Sequence, residues 1–312
     1  MNQTTTGYDL IGDIHGHATE LKTLLQKMGY QLKDHVWSHP ERKVIFVGDY
    51  IDRGPEIRET LYIVKRMVDA GAAYAIMGNH EYNALAFSYH HPDGGHIRRH
   101  SPKNIHQHYE TIKQFMGYEK EWDDYLAWFA NLPLFLEMDG IRAVHACWQD
   151  AHIDFLKKLE GPLTRDMLLK AHTKHSPEWT VFEETLKGVE MKLPDGQSFQ
   201  DKDGTHRAES RIKWWLNPTG LTYGDYFFNY PDSLQHQPLP EEIAAQPYHP
   251  DAPPVFFGHY WLNPKFAAPA KQADNVVCLD YSVAKGGVLV GYRWGSDNKE
   301  QGEFEMTEAI FE

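Results

Sequence analysis

Short clusters of carboxylate, amide and imidazole side chains recur along the chain: Gly12-Asp13-Ile14-His15-Gly16, Gly48-Asp49-Tyr50-Ile51-Asp52-Arg53-Gly54, Gly78-Asn79-His80-Glu81 and Gly258-His259, with His145 between the last two. Oxygen and imidazole donors without thiolate suit Mn, Fe or Zn in five- or six-coordinate sites. The set serves two ions better than one. An Asp and a His at i and i+2, such as Asp13 and His15, can converge on one ion, a carboxylate such as Asp49 can bridge two, and an Asn carbonyl with two histidines can complete the second. Three carboxylates and four histidines gathered without metal would leave carboxylate repulsion and buried unpaired polarity. Turn-forming Asp, Asn and Gly explain any single motif as well as metal binding does, but not the full ordered set. The supply of histidine is large, 19 in 312 residues, and this side chain both binds metals and moves protons near neutral pH.

Residues that must converge need elements to hold them, and each cluster follows an apolar run. Residues 8 to 145 alternate such runs with amphipathic stretches, the pattern of an α/β domain. Tyr8 to Ile11 reads as a strand. The next stretch places Leu21, Leu24, Leu25 and Met28 at helical spacing and stops at Gly29. Lys43 to Val47 reads as a buried strand, Glu56 to Ala70 as a helix entered through Pro55, and Ala72 to Met77 as a third strand. Helical segments are expected across 104 to 130, with strands at Leu134 to Glu137 and Arg142 to Val144. Each motif then sits at the C-terminal end of a strand, where open α/β sheets place their ligands. Residues 146 to 254 are rich in proline and aromatics and read as an insertion or cap. Within it Leu193-Pro194-Asp195-Gly196 is a turn between short strands, and Arg207 to Leu216 is expected to be helical. Strand character returns at Val255 to Phe257, Val276 to Leu279 and Val288 to Trp294.

The motif set D-x-H, G-D-x-x-D-R-G, G-N-H-E, H and G-H resembles that of the calcineurin-like metallophosphoesterases. More narrowly it is similar to the phosphoprotein phosphatase branch, which also contains symmetrical diadenosine tetraphosphatases and bacterial enzymes like them. The resemblance covers roughly 8 to 145 and 255 to 294. It implies a single α/β (α+β sandwich) domain of two central mixed β-sheets flanked by helices, with a cap-like insertion at about 146 to 254. It further implies Asp13 and His15 as ligands of a first metal, Asp49 as the bridge, and Asn79, His145 and His259 as ligands of the second. His80 would protonate the leaving oxygen, and Asp52 would hold its tautomer and raise its pKa. Arg53 would grip the phosphoryl oxygens. The implied cofactors are two divalent transition ions, Mn first with Fe or Zn as alternatives, and the implied reaction is in-line attack by a metal-bridging hydroxide.

The family's second phosphate-binding arginine has no clear counterpart. Arg207 and Arg211 are the candidates, with Arg211 preferred because it leads into an aromatic stretch; a helix-surface arginine is the plainer alternative. Tyr281 and Ser282 stand where the family commonly has Thr-Gly or Ser-Gly. His90, His91, His96, His100, His106 and His108 are read as a loop and helix beside the site, with a third metal the sharper alternative. Arg98 and Arg99 in that stretch either meet a substrate phosphate or are solvated. Tyr260 and Trp261 either line the cleft or pack. Glu81 is read as a partner rather than a ligand, and Cys147 and Cys278 as buried and inert.

The leading function is hydrolysis of phosphate monoesters, with a phosphorylated protein or small phosphate ester as partner. The alternative is a dinucleoside polyphosphate hydrolase, suggested by similarity of Phe257-Gly258-His259-Tyr260 and of Gly286-Gly287 to Arg293-Trp294 to that subfamily. A third reading, an inactive scaffold, is opposed by the intact ligand set. A formal charge of -13 argues against nucleic acid or an anionic membrane as partner. No G-x-x-x-x-G-K-[ST] or G-x-G-x-x-G occurs, which excludes P-loop chemistry and a dinucleotide fingerprint. Two cysteines, and no signal-like or membrane-spanning run, lead us to expect a reducing, cytoplasmic setting.

Overall fold

A computed structural model describes residues 6–138, 140–200, 206–241, 243, 246–295 and 302–308. In chain order its first part comprises β1 (Gly7–Ile11), α1 (Ala18–Lys27), β2 (Gln31–Lys33), β3 (Val36–Ser38), β4 (Arg42–Phe46), α2 (Ile57–Asp69), β5 (Ala73–Ala75), α3 (Asn79–Ser88), α4 (Pro102–Phe115), α5 (Glu119–Ala130), β6 (Phe135–Met138) and β7 (Ile141–Val144). There follow α6 (Asp150–Leu156), α7 (Arg165–His172), α8 (Pro177–Lys187), β8 (Glu190–Lys192), β9 (Phe199–Gln200), β10 (His206–Arg207), β11 (Glu209–Arg211) and α9 (Tyr223–Tyr226). The last group is β12 (Val255–Phe257), β13 (Val276–Cys278), β14 (Asp280–Tyr281), β15 (Val288–Gly295) and β16 (Glu303–Met306).

Two mixed sheets form the centre. In one, β1, β4 and β5 are parallel, β15 joins β1 antiparallel, and β14 and β16 pair antiparallel with β15. In the other, β12 runs parallel to both β13 and β7, and β6 is antiparallel to β7. Alternation of side chains along each strand makes this a sandwich. Tyr8, Leu10, Ile45, Val290 and Tyr292 of the first sheet share an apolar cluster with Ile141, Ala143, Phe256 and Val277 of the second. The intervening residues Ile11, Val44 and Phe46, and Val144, Val255, Phe257 and Cys278, belong to a larger cluster with the helices, including Leu21 and Leu25 of α1, Leu61 and Val64 of α2, Phe129 of α5 and Phe182 of α8. Both outer faces are thus covered by helices, the architecture that the sequence and the resemblance imply.

Local chemistry sets the helix ends. Gly29, at φ +84°, follows α1 in a conformation that a side chain resists. Ser101 and Ser176 accept the backbone N–H of Asn104 and Trp179, and Pro102 and Pro177 occupy the first helical positions. In the proline-rich middle Pro177 therefore starts a helix, and three helices, α6 to α8, fold within the stretch read as an insertion or cap.

The helix expected at Arg207 to Leu216 is not formed. Arg207 pairs with Phe199 across β9 and β10, and β11 pairs antiparallel with β8. The reason is visible in the burial: Ser210, Ile212 and Trp214 are buried while Arg211 and Lys213 are not, a period of two rather than 3.6. Gly204 and Thr205, just before this stretch, lie outside the described residues. The third strand is also shorter than expected, Ala73–Ala75, because Met77 bonds instead to the Pro133 carbonyl.

Candidate active site

All the motif turns meet at one end of the sandwich. Asp13 and His15 follow β1, Asp49 to Arg53 follow β4, and Asn79 and His80 form the first turn of α3 after β5. From the second sheet, His145 follows β7 and His259 follows β12. The turns are tight. His15, Asp49, Asp52, Arg53, His259 and Trp261 all have φ between +47° and +71°, which non-glycine residues rarely adopt and which clusters at functional sites. Two glycines permit the approach: a Cβ on Gly258 would stand 1.9 Å from Asp13 Oδ1, and one on Gly78 would stand 2.2 Å from Asp49 Oδ1.

Asp49 is the hub. Its Oδ2 lies 3.4 Å from His145 Nε2, 3.6 Å from His15 Nε2 and 3.8 Å from His80 Nε2, and its Oδ1 accepts the His80 backbone N–H at 2.9 Å. Two groups of ligand atoms converge among the described residues, His15 with Asp49 and His80, and Asp49 with His145 and His259. Asp13 adjoins them: its carboxylate accepts the His259 backbone N–H at 3.0 Å.

The ring nitrogens show what is missing from this hydrogen-bond network. His15 Nδ1 donates to the Ile51 carbonyl at 2.9 Å and His145 Nδ1 to the Val47 carbonyl at 2.8 Å. That leaves the Nε2 lone pair of the neutral His15 ring bare, whereas for His145 burial is outweighed by the Asp49 carboxylate and the pKa rises. The lone pair of His15 is buried without a partner, and neither ring nitrogen of buried His259 has one. His145 Nε2 faces Asn79 Oδ1 at 3.1 Å as well as Asp49. Lone pairs turned on one another in a buried cluster need a proton or a cation between them. The donor set therefore fits divalent ions, with oxygen and nitrogen ligands oriented by hydrogen bonds behind them.

Electrostatics agree. Burial, with the positive His80 beside it, pushes His15 down to about 3, and burial together with Arg211 holds His259 well below the ordinary range, so both rings stay neutral. Burial opposes ionisation of Asp49, yet the surrounding imidazoles of His145, His80 and His15 hold its carboxyl well below the usual range. Asp13 is raised by burial and then by the charges of Asp280 and Asp49. For His80, burial is outweighed by the carboxylates of Asp49 and Asp52, and its pKa rises.

His80 Nδ1 donates to Asp52 Oδ2 at 2.5 Å. Glu81 accepts the backbone N–H groups of Asp49 (2.9 Å), Tyr50 (2.8 Å) and Gly78 (3.0 Å), which ties the second and third motifs together; burial, then the Asp49 charge, pushes it up to about 7. It braces the ligand turns rather than facing the cleft.

A cleft of about 750 Å³ opens over this centre. Among the described residues its wall carries the cations Arg53, Arg98, Lys103, Lys187, Arg207, Arg211 and Lys285 against the carboxylates Asp52, Glu190 and Glu209, with Phe87, Phe199, Phe228, Tyr260 and Trp261 between them. Arg211 is half-buried, with Nε donating to the Lys187 carbonyl at 2.8 Å, whereas Arg207 is exposed on β10. Arg98 is held by neutral oxygens, Asn83 Oδ1 at 3.1 Å and Gln107 Oε1 at 2.7 Å. Arg99 is exposed. Tyr260 is buried against Phe228 and Phe257, while Trp261 stacks on His15 at 5.4 Å and lies under Arg53 and Lys285. Of the histidine-rich stretch, His90, His96 and His100 form a stack at 4.7 and 3.8 Å, and His108 is buried against Asp52. Cys147 and Cys278 are buried, free thiols pushed up by burial.

Sequence reasoning missed Thr111 behind Asp52, the cleft lysines Lys103, Lys187 and Lys285, and Asp280. Asp280, buried on β14, accepts the backbone N–H of Trp261 at 2.7 Å and of Ser282 at 3.0 Å, so it holds the turn after His259. An aspartate inside an apolar strand-like run, Cys278-Leu279-Asp280-Tyr281, was the available signal.

A family model described as calcineurin-like phosphoesterase matches residues 8–260. The chain is 28% identical over 294 residues to a symmetrical bis(5'-nucleosyl)-tetraphosphatase of Janthinobacterium sp., covering 89% of each protein. It is 45% identical over 73 residues to an asymmetrical bis(5'-nucleosyl)-tetraphosphatase, PrpE, of Oceanobacillus iheyensis; that match takes in 23% of this chain and 29% of the relative, so the chain spans less than a third of such relatives' length. Among solved structures, a protein serine/threonine phosphatase from Saccharomyces cerevisiae aligns with 100% of this chain and 82% of its own, at 13% identity and a TM-score of 0.49.

Proposed function

The chain belongs to the calcineurin-like phosphoesterases, and from that premise we propose that it is a binuclear metal-dependent phosphatase hydrolysing phosphate monoesters. The observation that carries this reading is the buried cluster around the Asp49 carboxylate, where His15 Nε2 and both ring nitrogens of His259 have no partner and His145 Nε2 turns to Asp49 at 3.4 Å. Asp13 and His15 would hold one ion, Asn79, His145 and His259 the other, and Asp49 both. Two divalent ions in these positions would lower the pKa of a water for in-line attack on phosphorus and offset the charge developing on the phosphoryl group. Mn is the first candidate and Fe or Zn the alternatives.

The rest of the chemistry belongs to side chains. Asp52 fixes the proton of His80 on Nδ1, so Nε2 is the atom that can deliver a second proton to the leaving oxygen. The two neighbouring carboxylates keep that proton on to higher pH. Arg53 and Arg211 would flank the phosphoryl oxygens, Arg211 because the cleft wall fixes its guanidinium near His259. Residues 146 to 254, in this reading, are the cap that supplies Lys187, Arg207 and Arg211 to the cleft.

The same cleft favours a second reading, a dinucleoside polyphosphate hydrolase. Arg53, Arg98, Lys103, Arg207, Arg211 and Lys285 face the cleft beside Asp52, Glu190 and Glu209, with Lys187 paired to Glu183, a wider cationic set than one phosphoryl group needs, and the aromatics among them could stack on a base. The deciding experiment assays the Mn-loaded protein side by side on phosphoserine and phosphotyrosine peptides, diadenosine tetraphosphate and an aryl phosphate. The monoester reading expects the highest kcat/KM on a monoester. A tenfold preference for the tetraphosphate would replace it with the second reading, and no turnover of any of the four by metal-loaded protein would leave only a scaffold.

A further inference from the structure

The carboxylate behind the proposed proton donor has a second imidazole on its other oxygen. Asp52 Oδ2 takes His80 Nδ1–H, whereas Oδ1 takes both His108 Nδ1–H at 2.7 Å and the Thr111 hydroxyl at 2.6 Å. Thr111 Oγ1 also accepts the Asp52 backbone N–H at 3.1 Å, at a residue whose φ is +66°. His108 and Thr111 lie three residues apart on one face of α4, and Gln114, three further on, holds the same loop by bonding Gly54 O at 3.0 Å and Ile57 N at 2.7 Å. One face of α4 is thus a clamp on the segment that carries Asp52.

A carboxylate bound through one oxygen can swing about its Cβ–Cγ bond. Pinned by two donors on Oδ1, its plane is set and Oδ2 addresses His80 in a single direction. Both donors are buried, and contacts of the His108 ring with Phe87 (5.1 Å) and Trp122 (5.7 Å) restrain it.

On the phosphatase reading, we propose that His108, with Thr111, is a positioning residue for proton transfer: it orients Asp52, and through Asp52 it holds His80 in the tautomer and place from which Nε2 meets the leaving oxygen. Tolerances for such groups are tight, about 0.5 Å. His108 itself neither touches the reacting atoms nor ligates metal.

The test is the dependence of rate on the leaving group, using Mn-loaded protein and the series phenyl, 4-nitrophenyl and 2,4-dinitrophenyl phosphate, with bound metal measured on every variant. A poor leaving group needs the proton; 2,4-dinitrophenolate does not. His108→Phe keeps the packing and loses the donor. It is expected to lower kcat for phenyl phosphate by about tenfold or more, within the range ascribed to general acids, and to lower it much less for the dinitrophenyl ester, at unchanged metal content. His108→Asn, whose amide N–H falls near the position of Nδ1–H, should recover most of the loss, and Thr111→Val should repeat the pattern more weakly. An equal loss across the series, loss of metal, or no recovery with Asn would overturn the proposal. Should His108→Phe fail to fold, Thr111→Val and His108→Asn decide it by the same slope. A wild-type protein inert toward all three esters overturns the phosphatase reading itself, whereas a flat response in an active enzyme overturns only the role of His108.

Discussion

At the scale of single residues, the site depends most on Asp49, because one carboxylate oxygen faces three imidazoles within 3.8 Å. Asp49→Asn should lose metal and activity together, read by metal analysis beside turnover; an active, metallated variant would remove Asp49 from the bridging role. His80 is distinguishable because its Nδ1 is committed to Asp52. His80→Asn should keep both metals and lose turnover by roughly 10²- to 10⁴-fold. Concomitant loss of metal would make His80 a ligand, as its nearness to Asp49 and His15 also allows. Gly258 is held to its identity by sterics, since its φ is unremarkable for a side chain but the space is not there. Gly258→Ala should displace the Asp13 carboxylate and weaken metal binding without unfolding the protein, which a metal titration beside a melting curve would show.

At the scale of elements, helices do two different jobs. α3 begins inside the site, so its first turn presents Asn79 and His80 while Glu81 reaches back to the Gly78 N–H. α7 and α8 instead pack on Tyr82 of α3, where His172 stacks at 4.8 Å and its Nδ1 lies 3.0 Å from the Tyr82 hydroxyl and 2.9 Å from the Leu168 carbonyl. Burial pushes this imidazole down to about 4. Folding therefore opposes its protonation, and the stability it permits is full above the unfolded value near 6.5 and is lost as pH falls toward 4. His172→Phe keeps the stacking and removes the titration. The melting temperature of the variant should gain on that of the wild type as pH drops from 6.5 to 4, by the equivalent of about 1–3 kcal/mol; a constant difference across that range would contradict it.

At the scale of the whole molecule, the proposed ligands come from both sheets: Asp13, His15, Asp49 and Asn79 follow strands of one, and His145 and His259 follow strands of the other. Ions bound there would join the two halves of the sandwich. A ligand present at a hundred times its dissociation constant stabilises the folded state by about 2.7 kcal/mol, so Mn should raise, and chelator lower, the melting temperature by several degrees, with no response in Asp49→Asn. Charge shows the same dependence on assembly, because an acidic chain of net -13 turns a cationic wall toward its cleft. The motifs, their order, their place at strand ends and the alternation of strand and helix up to residue 145 were legible in the sequence, because a strand, its turn and the ligands on that turn are contiguous and obey local rules. The failure at Arg207 to Leu216 has the opposite cause: a two-residue period was set by pairing with β8 and by burial, neither of which is local. The same holds for Asp280 under Trp261 and for His108 behind Asp52. Asp52 and His108 are 56 positions apart, and Asp13 and His259 are 246 apart. The sequence by itself singled out the side chains offered to metal and to proton transfer; tertiary packing alone decided which histidine and aspartate stand behind them, because those contacts are made only when two sheets and the helix face of α4 close on one another.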